Sequence, residues 1–565
     1  MGHSVNFPRC ATLRRLGPID APTSSAGVAK DAAVPMALLC AIIALLFLTG
    51  APSGGAFSWP DSPRHALNGA FVLDLIRAAP IDHPANFAYD YYTRYPALTI
   101  GLYPPLFSFQ LALFYALFGV SQTSALIALF TSYCFMACGA YALLRLNCSA
   151  LIAFSATLFF AVLPEIAFWG RQVMLEIPAY AFVTWSAYWL VRHLRTHRIG
   201  FLYLSIALLV LGMYTKLSLA FLALPYLIAL LHARGWQLVR DRHCYVIASM
   251  AFAGVVPLLI LTLKFGQANI QSAAGISDAE VSRGSIAGWI WYAEQLPSQM
   301  GWVGFGAALA VVGALIAIPR WRPLLLTDHL LWLSWFVLGY LFFSGIDLKE
   351  ARHSIFLLLP LVMMLALVCR EISRRWLGEA AAASVAVATL ATTALTRPVH
   401  YVSGYDDAVR FVAVHAPRNS NIIFSGYHDG AFIFEMRAIG QRPDMSTIRS
   451  DKLLLRIAVR RTLGVKQKPY TEHQIGDMIS HLRVSYVVAQ PDFWTDLEQM
   501  KRFQAVLNGP QFRPMRRFPM KANYSGQERE LVVYQNLDKL PPGPVSIENE
   551  LPIIDSKVAG TASAD

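Results

Sequence analysis

A series of apolar runs separated by short polar stretches constrains this chain more than any other feature of its sequence. A transmembrane helix needs about 20 predominantly apolar residues, and most of the runs reach or approach that length. The pattern therefore predicts an α-helical polytopic membrane protein with about 11–13 transmembrane helices. The runs lie at about residues 34–50, 104–119, 122–144, 150–168, 177–192, 199–214, 217–232, 245–263, 301–318, 329–344, 354–369 and 379–396.

The distribution of charge separates a membrane body from a water-soluble remainder. Over the whole chain 56% of residues are hydrophobic and 15% are charged, whereas about 25% are charged in soluble globular proteins. Residues 397–565 carry 22 basic and 18 acidic residues, which is close to that soluble norm. These values exclude a disordered chain, a collagen-like repeat and a small disulfide-linked module as the overall class.

The remainder predicts a soluble α/β domain over residues 397–540. Residues 541–565 contain Pro, Gly and Ser without periodicity, which predicts a disordered tail. The domain alternates strand-like and helix-like stretches, a pattern typical of an α/β fold. The strand-like runs lie at 421–426, 484–490 and 531–536, and the helix-like stretches near 473–483 and 495–507.

The membrane domain is predicted to span residues 34–396. Residues 1–33 are polar and basic, too long and too mixed for the start of a signal peptide, and predict a cytoplasmic leader. The first outer loop, residues 51–103, is long for a connection. Its run at 64–78 has an apolar stripe that predicts a helix lying along the membrane surface.

Clusters of basic residues between the apolar runs predict the orientation. Placed in the cytoplasm by the positive-inside rule, they put the first outer loop and the soluble domain outside. They also account for the net charge of +12, so no nucleic acid partner is expected. Three apolar runs lie between residues 61 and 170, which are both predicted to be outside. An even number of crossings is required between two outer positions, so one of these runs, with 104–119 as our candidate, does not cross fully. The clusters are Arg14–Arg15, Arg192–Arg198, Arg234–Arg242, Arg320–Arg322 and Arg370–Arg375.

Ionisable residues at the predicted outer ends of the apolar runs are the candidate functional residues. Charge at membrane depth is costly, so such residues are functional candidates by default. Asp61 lies just past the first run, where its carboxylate is either a general base or the cap of the helix that follows. Arg171 and Glu176 lie between two runs with almost no loop, either as a local ion pair or as part of a polar cavity.

A second cluster of charges occupies residues 347–353. On a helix, Lys349 and Arg352 would share a face at spacing i, i+3, and two cations at the interface make a phosphate site. The alternative is a solvated loop in which Asp347 and Glu350 neutralise these cations.

Together these residues place two acids and a pair of cations on one side of the bundle. That set suits the transfer of a group from a lipid phosphate to an outer acceptor. The cations would stabilise the departing phosphate oxygens, and an acid would take the proton of the attacking hydroxyl or amine. The outer loops contain no DxD motif or His-rich cluster, so we expect no obligatory metal ion or other cofactor.

The order of the motifs resembles that of the GT-C-type membrane glycosyltransferases, which include bacterial relatives of protein O-mannosyltransferases and of lipid A aminoarabinose transferases. The resemblance covers about residues 34–396. It rests on WPDSPRHALNGAFVLDLIR in the first outer loop, LYPPLF before the next apolar run, RQVMLEIPAY near residue 176, YTKLSLAFLALP at 214–225 and DLKEARHSIFLLLP near residue 350. Many relatives have Asp-Glu where Asp61 is followed by Ser62. Aminoarabinose transferases often have Glu-Lys in place of Leu102–Tyr103, which argues against that particular reaction.

The resemblance implies roles for individual residues. Asp61 occupies the place of the first-loop catalytic acid, and Glu176 that of a second acid. Lys349 and Arg352 occupy the place of the cations near the donor phosphate, with Arg171 as a further candidate. The residues expected to line the substrate cavity are Tyr103, Arg64 and His353.

The implied function is a hexosyl- or pentosyltransferase that uses a polyprenyl-phosphate sugar. Its acceptor would be a lipid, a glycan or a protein. The implied location is the bacterial inner membrane, with the catalytic loops and the C-terminal domain facing the periplasm. A flippase or transporter of a lipid-linked sugar, a polymerase or ligase with a diphosphate lipid donor, and a non-catalytic scaffold remain as alternatives.

Overall fold

A computed structural model of the chain describes most of the membrane body and the soluble domain. Among the predicted features, Arg14, Arg15, Arg320, Arg322 and most of the leader at 1–33 lie outside the described residues. These residues are 25–48, 57–275, 281–319, 321, 329–457, 461, 464–524, 529–540, 545–551 and 556–562.

The body is helical, as the apolar runs predict. Short 3₁₀ helices at Leu217–Leu222, Gly235–Arg240 and Ala351–Leu357 connect to or separate the α-helices. The α-helices are α1 (Ser25–Leu48), α2 (Ser62–Ala78), α3 (Pro84–Arg94), α4 (Leu106–Phe118), α5 (Gln122–Arg145), α6 (Ala150–Val162), α7 (Pro164–Trp169), α8 (Glu176–Thr196), α9 (Ile199–Met213), α10 (Ala223–Arg234), α11 (Arg242–Phe265), α12 (Gln267–Ala274), α13 (Ile286–Ala317), α14 (Leu330–Ser344), α15 (Leu358–Glu371) and α16 (Arg375–Thr396). α13 is interrupted at Gly301, whose φ of 70° is a conformation that glycine adopts without strain.

The helices coincide with the predicted runs, and the chain is a multi-pass membrane protein. Five shorter apolar helices and α8 accompany the long spans. Among the shorter ones, α4 has 13 residues and extends about 20 Å, less than the roughly 30 Å of a bilayer core. α6 also has 13 residues, so length does not distinguish α4 from the other short helices, and the incomplete crossing of run 104–119 stays a prediction. Six segments of the described chain are long and apolar enough to cross a membrane, namely Gln122–Arg145, Leu217–Arg240, Arg242–Phe265, Ile286–Ala317, Ala351–Glu371 and Arg375–Thr396.

The basic clusters at 192–198 and 370–375 meet at one end of the bundle. Arg195 donates to the side-chain oxygen of Asn147, and Arg370 donates to the Asn147 carbonyl at 3.5 Å. Glu176 begins α8 and Arg195 lies in its last turn. The candidate site residues around Glu176 therefore lie at the opposite end of the bundle from these clusters.

Helix α2 is enclosed between the membrane helices and the soluble domain. Its residues from Ser62 to Leu73 are buried except for Arg64, and it packs against α4. A Cβ atom added at Gly69 would lie 2.4 Å from Leu111 Cβ, so the two helices touch closely there. The helix itself was predicted, but it is enclosed by other elements: α4 and α18 pack against it, and Phe71 of its apolar stripe contacts the rings of Phe87 and Tyr91 in α3.

The soluble domain is built on a five-stranded mixed sheet in the order β3–β2–β6–β9–β7. β2 pairs in parallel with β3 and β6, and β9 pairs antiparallel with β6 and β7. Two-stranded pairs form between β1 and β8, β4 and β5, and β10 and β11. The strands are β1 (Val402–Ser403), β2 (Asn421–Ser425), β3 (Thr447–Arg449), β4 (Leu455–Ile457), β5 (Val465–Gln467), β6 (Val484–Ala489), β7 (Phe512–Pro519), β8 (Lys521–Ala522), β9 (Glu530–Asn536), β10 (Val545–Leu551) and β11 (Ser556–Ala562).

One face of the sheet shares a hydrophobic core with the first outer loop. Phe424 and Tyr486 belong to the same buried cluster as Leu67 and Phe71 of α2. The other face packs against helices of the domain itself. The soluble domain therefore packs directly against α2 through this shared core. Its helices are α17 (Tyr405–His415), α18 (Asp429–Glu435), α19 (Ser450–Leu454), α20 (Glu472–His481) and α21 (Glu498–Leu507), with a π-helical turn at Met436–Gly440.

Within the predicted disordered tail 541–565, the described residues 545–551 and 556–562 form two strands. β10 and β11 pair antiparallel, with Val545 opposite Ala562, and β11 lies beside α3. Val545, Ile547 and Leu551 fall on alternate positions with polar residues between, which favours a strand. The Pro- and Gly-rich composition masked that alternation.

Candidate active site

Asp61 lies at the start of α2 with its carboxylate directed away from the helix. It occupies the N-cap position, yet its side chain makes no capping hydrogen bond. Instead, Asp61 Oδ2 accepts a hydrogen bond from Nη2 of Arg352 at 3.0 Å. The Asp61 side chain is 26% exposed and that of Arg352 is 12% exposed. The carboxylate thus stays accessible to water or a substrate while a cation fixes it.

Arg352 is held on several sides at the start of the span Ala351–Glu371. Its Nε donates to Glu350 Oε2 while its Nη2 reaches Asp61. The guanidinium carbon lies 5.9 Å from the ring centroid of Trp59 and 5.9 Å from that of Trp169. Aromatic faces attract cations, so the rings and carboxylates orient this cation. The ion pairing within 347–353, offered as the alternative, occurs between Glu350 and Arg352.

A second ion pair joins Glu176 to Lys216. Lys216 Nζ donates to Glu176 Oε1 at 2.6 Å, and the two side chains are 15% and 1% exposed. Glu176 begins α8, and Lys216 precedes the 3₁₀ helix Leu217–Leu222. The other carboxylate oxygen, Oε2, is buried and has no hydrogen-bond partner within the described part of the chain. Glu176 therefore pairs with Lys216 and not with Arg171, as the local ion pair would require.

The rings of His65 and Tyr103 lie against each other beside the two ion pairs. Their ring centroids lie 4.7 Å apart, and His65 follows Asp61 by one helical turn. Burial lowers the pKa of the His65 imidazole to about 4, although the carboxylates of Asp61 and Glu176 act to raise it. Burial also raises the pKa of the Tyr103 phenol. Both side chains are therefore neutral near pH 7 and act as hydrogen-bonding groups.

His353 borders the same cluster. Its Nε2 lies 3.8 Å from Glu350 Oε2. Its Nδ1 is buried, and none of the described residues forms a hydrogen bond with it. It therefore places a buried polar atom next to the charged residues.

Two predicted phosphate-binding cations have other partners in the structure. Lys349 Nζ donates to the carbonyl oxygens of Ser344 and Ile346 at the C-terminal end of α14. Arg171 Nη2 donates to the Arg397 carbonyl at 2.8 Å, just beyond α16. Both side chains satisfy backbone carbonyls at helix ends, so the phosphate-binding role predicted for them stays a prediction.

Arg64, predicted to line the cavity, pairs with the soluble domain. Its Nη2 donates to Asp429 Oδ1 at 2.9 Å and to Oδ2 at 3.0 Å. Asp429 is the first residue of α18. The predicted cavity residue is therefore part of the contact between α2 and the soluble domain.

Lys216 is a site residue that sequence reasoning did not single out. It stands alone between the apolar runs 199–214 and 217–232. A charge bordering an apolar run is the same signal that selected Asp61 and Glu176. Applied to Lys216 as well, that rule would have added it to the candidates.

The cluster contains alternating charges and no grouping typical of a metal centre. Asp61, Glu176 and Glu350 supply the negative charges, and Arg352 and Lys216 supply the positive ones. Within the described residues, no three His, Cys, Asp or Glu side chains are arranged to hold a metal ion. An incoming phosphate would compete with Asp61 for Arg352 and so free the carboxylate. The arrangement can thus bind an anion and accept a proton at adjacent positions.

Part of the membrane body matches a known protein family. Residues 103–261 match the family model described as dolichyl-phosphate-mannose-protein mannosyltransferase. This segment includes Glu176 and Lys216 but not Asp61 or Arg352. No curated protein sequence matches the chain.

The whole chain is similar in fold to solved membrane proteins. ArnT from Cupriavidus metallidurans, in a crystal structure bound to undecaprenyl phosphate, has a TM-score of 0.59 at 13% identity, covering 92% of this chain and 100% of that chain. The same protein in the apo state has a TM-score of 0.56 at 13% identity, covering 91% and 100%. The apo oligosaccharyltransferase of Archaeoglobus fulgidus has a TM-score of 0.52 at 12% identity, covering 89% and 76%. These likenesses confirm the fold class predicted from the sequence.

Proposed function

Because the chain has the GT-C-type fold of membrane glycosyltransferases, we propose that it transfers a sugar from a polyprenyl-phosphate donor to an acceptor at the outer face of the membrane. The observation that carries this proposal is the 3.0 Å contact between Asp61 and Arg352. It joins a partly exposed carboxylate to a fixed cation at the end of a membrane span. Such a pair suits a reaction in which a proton and a phosphate charge are handled side by side.

In the proposed reaction the acceptor hydroxyl or amine attacks the anomeric carbon of the donor sugar. The new bond forms from the acceptor atom to that carbon, while the bond from the carbon to the phosphate oxygen breaks. Asp61 takes the acceptor proton, and the polyprenyl phosphate leaves with both bonding electrons. Attack on the face opposite the leaving group inverts the anomeric configuration.

Arg352 and Lys216 are the cations we assign to the departing phosphate. Arg352 already contacts one carboxylate that a phosphate would replace, and Lys216 lies in the same cluster through Glu176. Fixed cations stabilise charge that develops in the transition state and need no reorganisation. Lys349 and Arg171 would first have to leave the carbonyls that they bind, so we consider them weaker candidates for binding the phosphate than Arg352 and Lys216. The scheme assigns no step to a metal ion.

The comparisons support the choice of donor. The matched family model is named for a dolichyl-phosphate sugar, and the similar ArnT structure holds undecaprenyl phosphate. Both are polyprenyl monophosphates. The donor lipid would lie between the helices with its phosphate at Arg352. We further propose that this end of the bundle and the soluble domain face the periplasm of a bacterial inner membrane.

The test is the chemical form of the released lipid. Purified protein is incubated with a cell-envelope extract, which supplies the acceptor, and with a radiolabelled sugar on polyprenyl phosphate or, separately, on polyprenyl diphosphate. We expect loss of label from the monophosphate donor and release of free polyprenyl phosphate. Movement of the intact donor across a vesicle without cleavage would identify a flippase, and release of a diphosphate would identify a polymerase or ligase. Mass spectrometry of the envelope from a strain lacking the protein would identify the sugar and whether its acceptor is lipid, glycan or protein.

A further inference from the structure

The contact between Arg64 and Asp429 links the soluble domain to the turn that carries Asp61. Besides Arg64, Asp429 also contacts Arg449, whose Nη1 lies 2.7 Å from Asp429 Oδ2. Burial alone would raise the pKa of the Asp429 carboxyl, but the guanidinium groups of Arg449 and Arg64 hold it below its usual value. Asp429 is therefore an ionised side chain shared by α2 and the soluble domain. We call Arg64, Asp429 and Arg449 the Arg64 clamp.

The start of α18 and the first turn of α2 also pack closely beside the Arg64 clamp. A Cβ atom added at Gly430 would lie 3.0 Å from Pro63 Cγ and 3.5 Å from Arg64 Cγ. A larger residue at position 430 would press against the Pro63 side chain. The clamp is thus a packed contact and not a loose surface ion pair.

Two ion pairs hold the first turn of α2, one through Asp61 and the other through Arg64. The backbone NH groups of Arg64 and His65 donate to the Asp61 carbonyl at 3.1 and 3.0 Å, so Asp61 and Arg64 move together. The Asp61 side chain reaches Arg352 of the membrane body, and the Arg64 side chain reaches Asp429 of the soluble domain. The turn thus connects a contact of the membrane body to a contact of the soluble domain.

A second, separate contact attaches the soluble domain farther along α2. Arg437 donates to both carboxylate oxygens of Asp74, at 2.7 and 2.5 Å. Tyr91 of α3 donates to Asp74 Oδ2 at 3.0 Å. This anchor lies ten residues beyond Arg64, and the shared hydrophobic core surrounds it. Loss of the Arg64 clamp would therefore not detach the domain.

We propose that Asp429 is a positioning residue for Asp61. By holding Arg64, it fixes the first turn of α2 so that the Asp61 carboxylate faces Arg352. It also keeps the Arg64 guanidinium occupied, because a cation three residues from a carboxylate at a helix start would otherwise pair with it. The inference rests on the proposed function and gives the soluble domain a part in organising the catalytic group.

The test compares two aspartates of the soluble domain. Asp429→Asn removes the charge of the Arg64 clamp without changing the size of the side chain. Asp444→Asn is the matched control, because Asp444 pairs with Arg442 at 2.7 Å within the soluble domain. We expect Asp429→Asn to lower kcat by about 10- to 100-fold, as misplacement of a catalytic group does, with an unchanged KM for the donor. Asp444→Asn keeps the parent kcat, and Asp429→Glu, which restores the charge, recovers part of the rate.

Two further measurements separate positioning from general damage. In an Asp61→Asn background, Asp429→Asn should cause no additional loss, because the group that it positions is gone. Hydrogen exchange of residues 57–66 should be faster in Asp429→Asn than in the parent chain and unchanged in Asp444→Asn. A parent-like kcat for Asp429→Asn, or losses that multiply in the double variant, would overturn the proposal.

Failure of the proposed function gives a different result. In that case the parent chain releases no polyprenyl phosphate from a monophosphate donor. The hydrogen-exchange measurement still tests whether the Arg64 clamp fixes the first turn of α2, because it needs no turnover. Unchanged exchange at residues 57–66 in Asp429→Asn would then overturn the positioning role, and faster exchange would support it.

Discussion

The two ion pairs of the candidate active site have similar chemistry but different access to water. Asp61 and Arg352 lie 3.0 Å apart with side chains that are 26% and 12% exposed. Glu176 and Lys216 lie 2.6 Å apart with side chains that are 1% and 15% exposed. A carboxylate and a cation meet in both, so the difference lies mainly in the burial of the acid.

From this difference we expect the two acids to have different tasks. Removing one partner of a buried ion pair leaves an uncompensated charge and is strongly destabilising, whereas an exposed pair contributes little to stability. Asp61 is partly exposed, and Arg352 keeps Glu350 as a partner when Asp61 is released, so we expect the Asp61 pair to open for a substrate at small cost. The Glu176 pair holds the ends of α8 and of the segment before Leu217–Leu222 together, and it keeps Lys216 in place.

The largest expected effect is the loss of activity on changing Asp61. Asp61→Asn removes the proton acceptor while keeping the size of the side chain, so turnover should fall by about 10²- to 10⁴-fold. The thermal midpoint in detergent should stay close to that of the parent chain, because the side chain is partly exposed and makes no capping bond. Turnover of the labelled donor and a thermal unfolding curve are the two measurements. Asp90→Asn, an exposed carboxylate of the same outer loop, is the control and keeps the parent rate.

The second prediction concerns the buried acid, Glu176, for which we expect a loss of stability where Asp61→Asn loses only activity. Glu176→Gln should lower the free energy of unfolding by roughly 3–5 kcal/mol, because Lys216 is left charged without its partner. Adding Lys216→Met to this variant removes the unpaired charge and should restore part of the stability. Denaturant unfolding of the purified variants measures both effects. A Glu176→Gln protein with parent stability but no turnover would make Glu176 a catalytic group like Asp61 and would erase the contrast between the two pairs.

The sequence predicts those parts of the site that border apolar runs. Asp61, Glu176 and Arg352 each stand at the end of such a run, and the structure brings them into one cluster. The rule works because helix ends on the same side of a membrane meet, whichever helices neighbour one another. Ion-pair partners that are brought together only by tertiary contacts are harder to predict from the sequence. Lys216 lies 40 residues from Glu176, and Asp429 lies 365 residues from Arg64.

Lys349 shows how a local change of backbone defeats a spacing rule. The prediction that Lys349 and Arg352 share a face requires a continuous helix. In the structure Glu350 is extended, with φ of −142° and ψ of 136°, and the 3₁₀ helix begins only at Ala351. The two cations therefore point to different surroundings.

In the soluble domain, too, the sequence predicts only those strands whose residues follow a regular pattern. The three buried runs were predicted and form β2, β6 and β9. β7 was not predicted, because most of its residues are exposed and it contains Pro514 and Pro519. Proline is tolerated at a sheet edge, where a missing NH costs no internal hydrogen bond, and β7 is an edge strand. β3 was not predicted either, because its three residues are too few to show a strand pattern.

The third prediction uses His65 as a reporter of both ion pairs. Its pKa is lowered from 6.5 to about 4, chiefly by burial. Between these values the unfolded chain binds the proton more readily than the folded one, so stability falls as pH decreases from 6.5 towards 4. Above pH 6.5 this contribution is constant. The total loss from this group is at most about 3 kcal/mol.

The comparison that isolates this effect is the difference between the parent chain and His65→Gln. Glu435 gives an opposite slope, since burial, aided by Asp406, raises its pKa to about 7. That slope is common to both proteins and cancels in the difference. The unfolding free energy of the parent chain should therefore fall more steeply between pH 6.5 and 5 than that of His65→Gln. Equal slopes would mean that charges, and not burial, set the protonation of His65.

The smallest expected effect tests whether a third cation belongs in the comparison of the two pairs. Lys349 donates to the carbonyls of Ser344 and Ile346, and its ammonium lies 5.5 Å from the ring centroid of Tyr292. A cation at a helix C-terminus stabilises by about 0.3–1 kcal/mol, so Lys349→Gln should lower stability by about 1 kcal/mol. With Arg352 and Lys216 still in place, kcat and the donor KM should stay at parent values, and Arg352→Gln measured alongside should raise the donor KM. If Lys349→Gln also raised that KM, the ammonium must leave α14 to hold the donor phosphate. The residue spacing would then have predicted the phosphate site better than the contacts of Lys349 do.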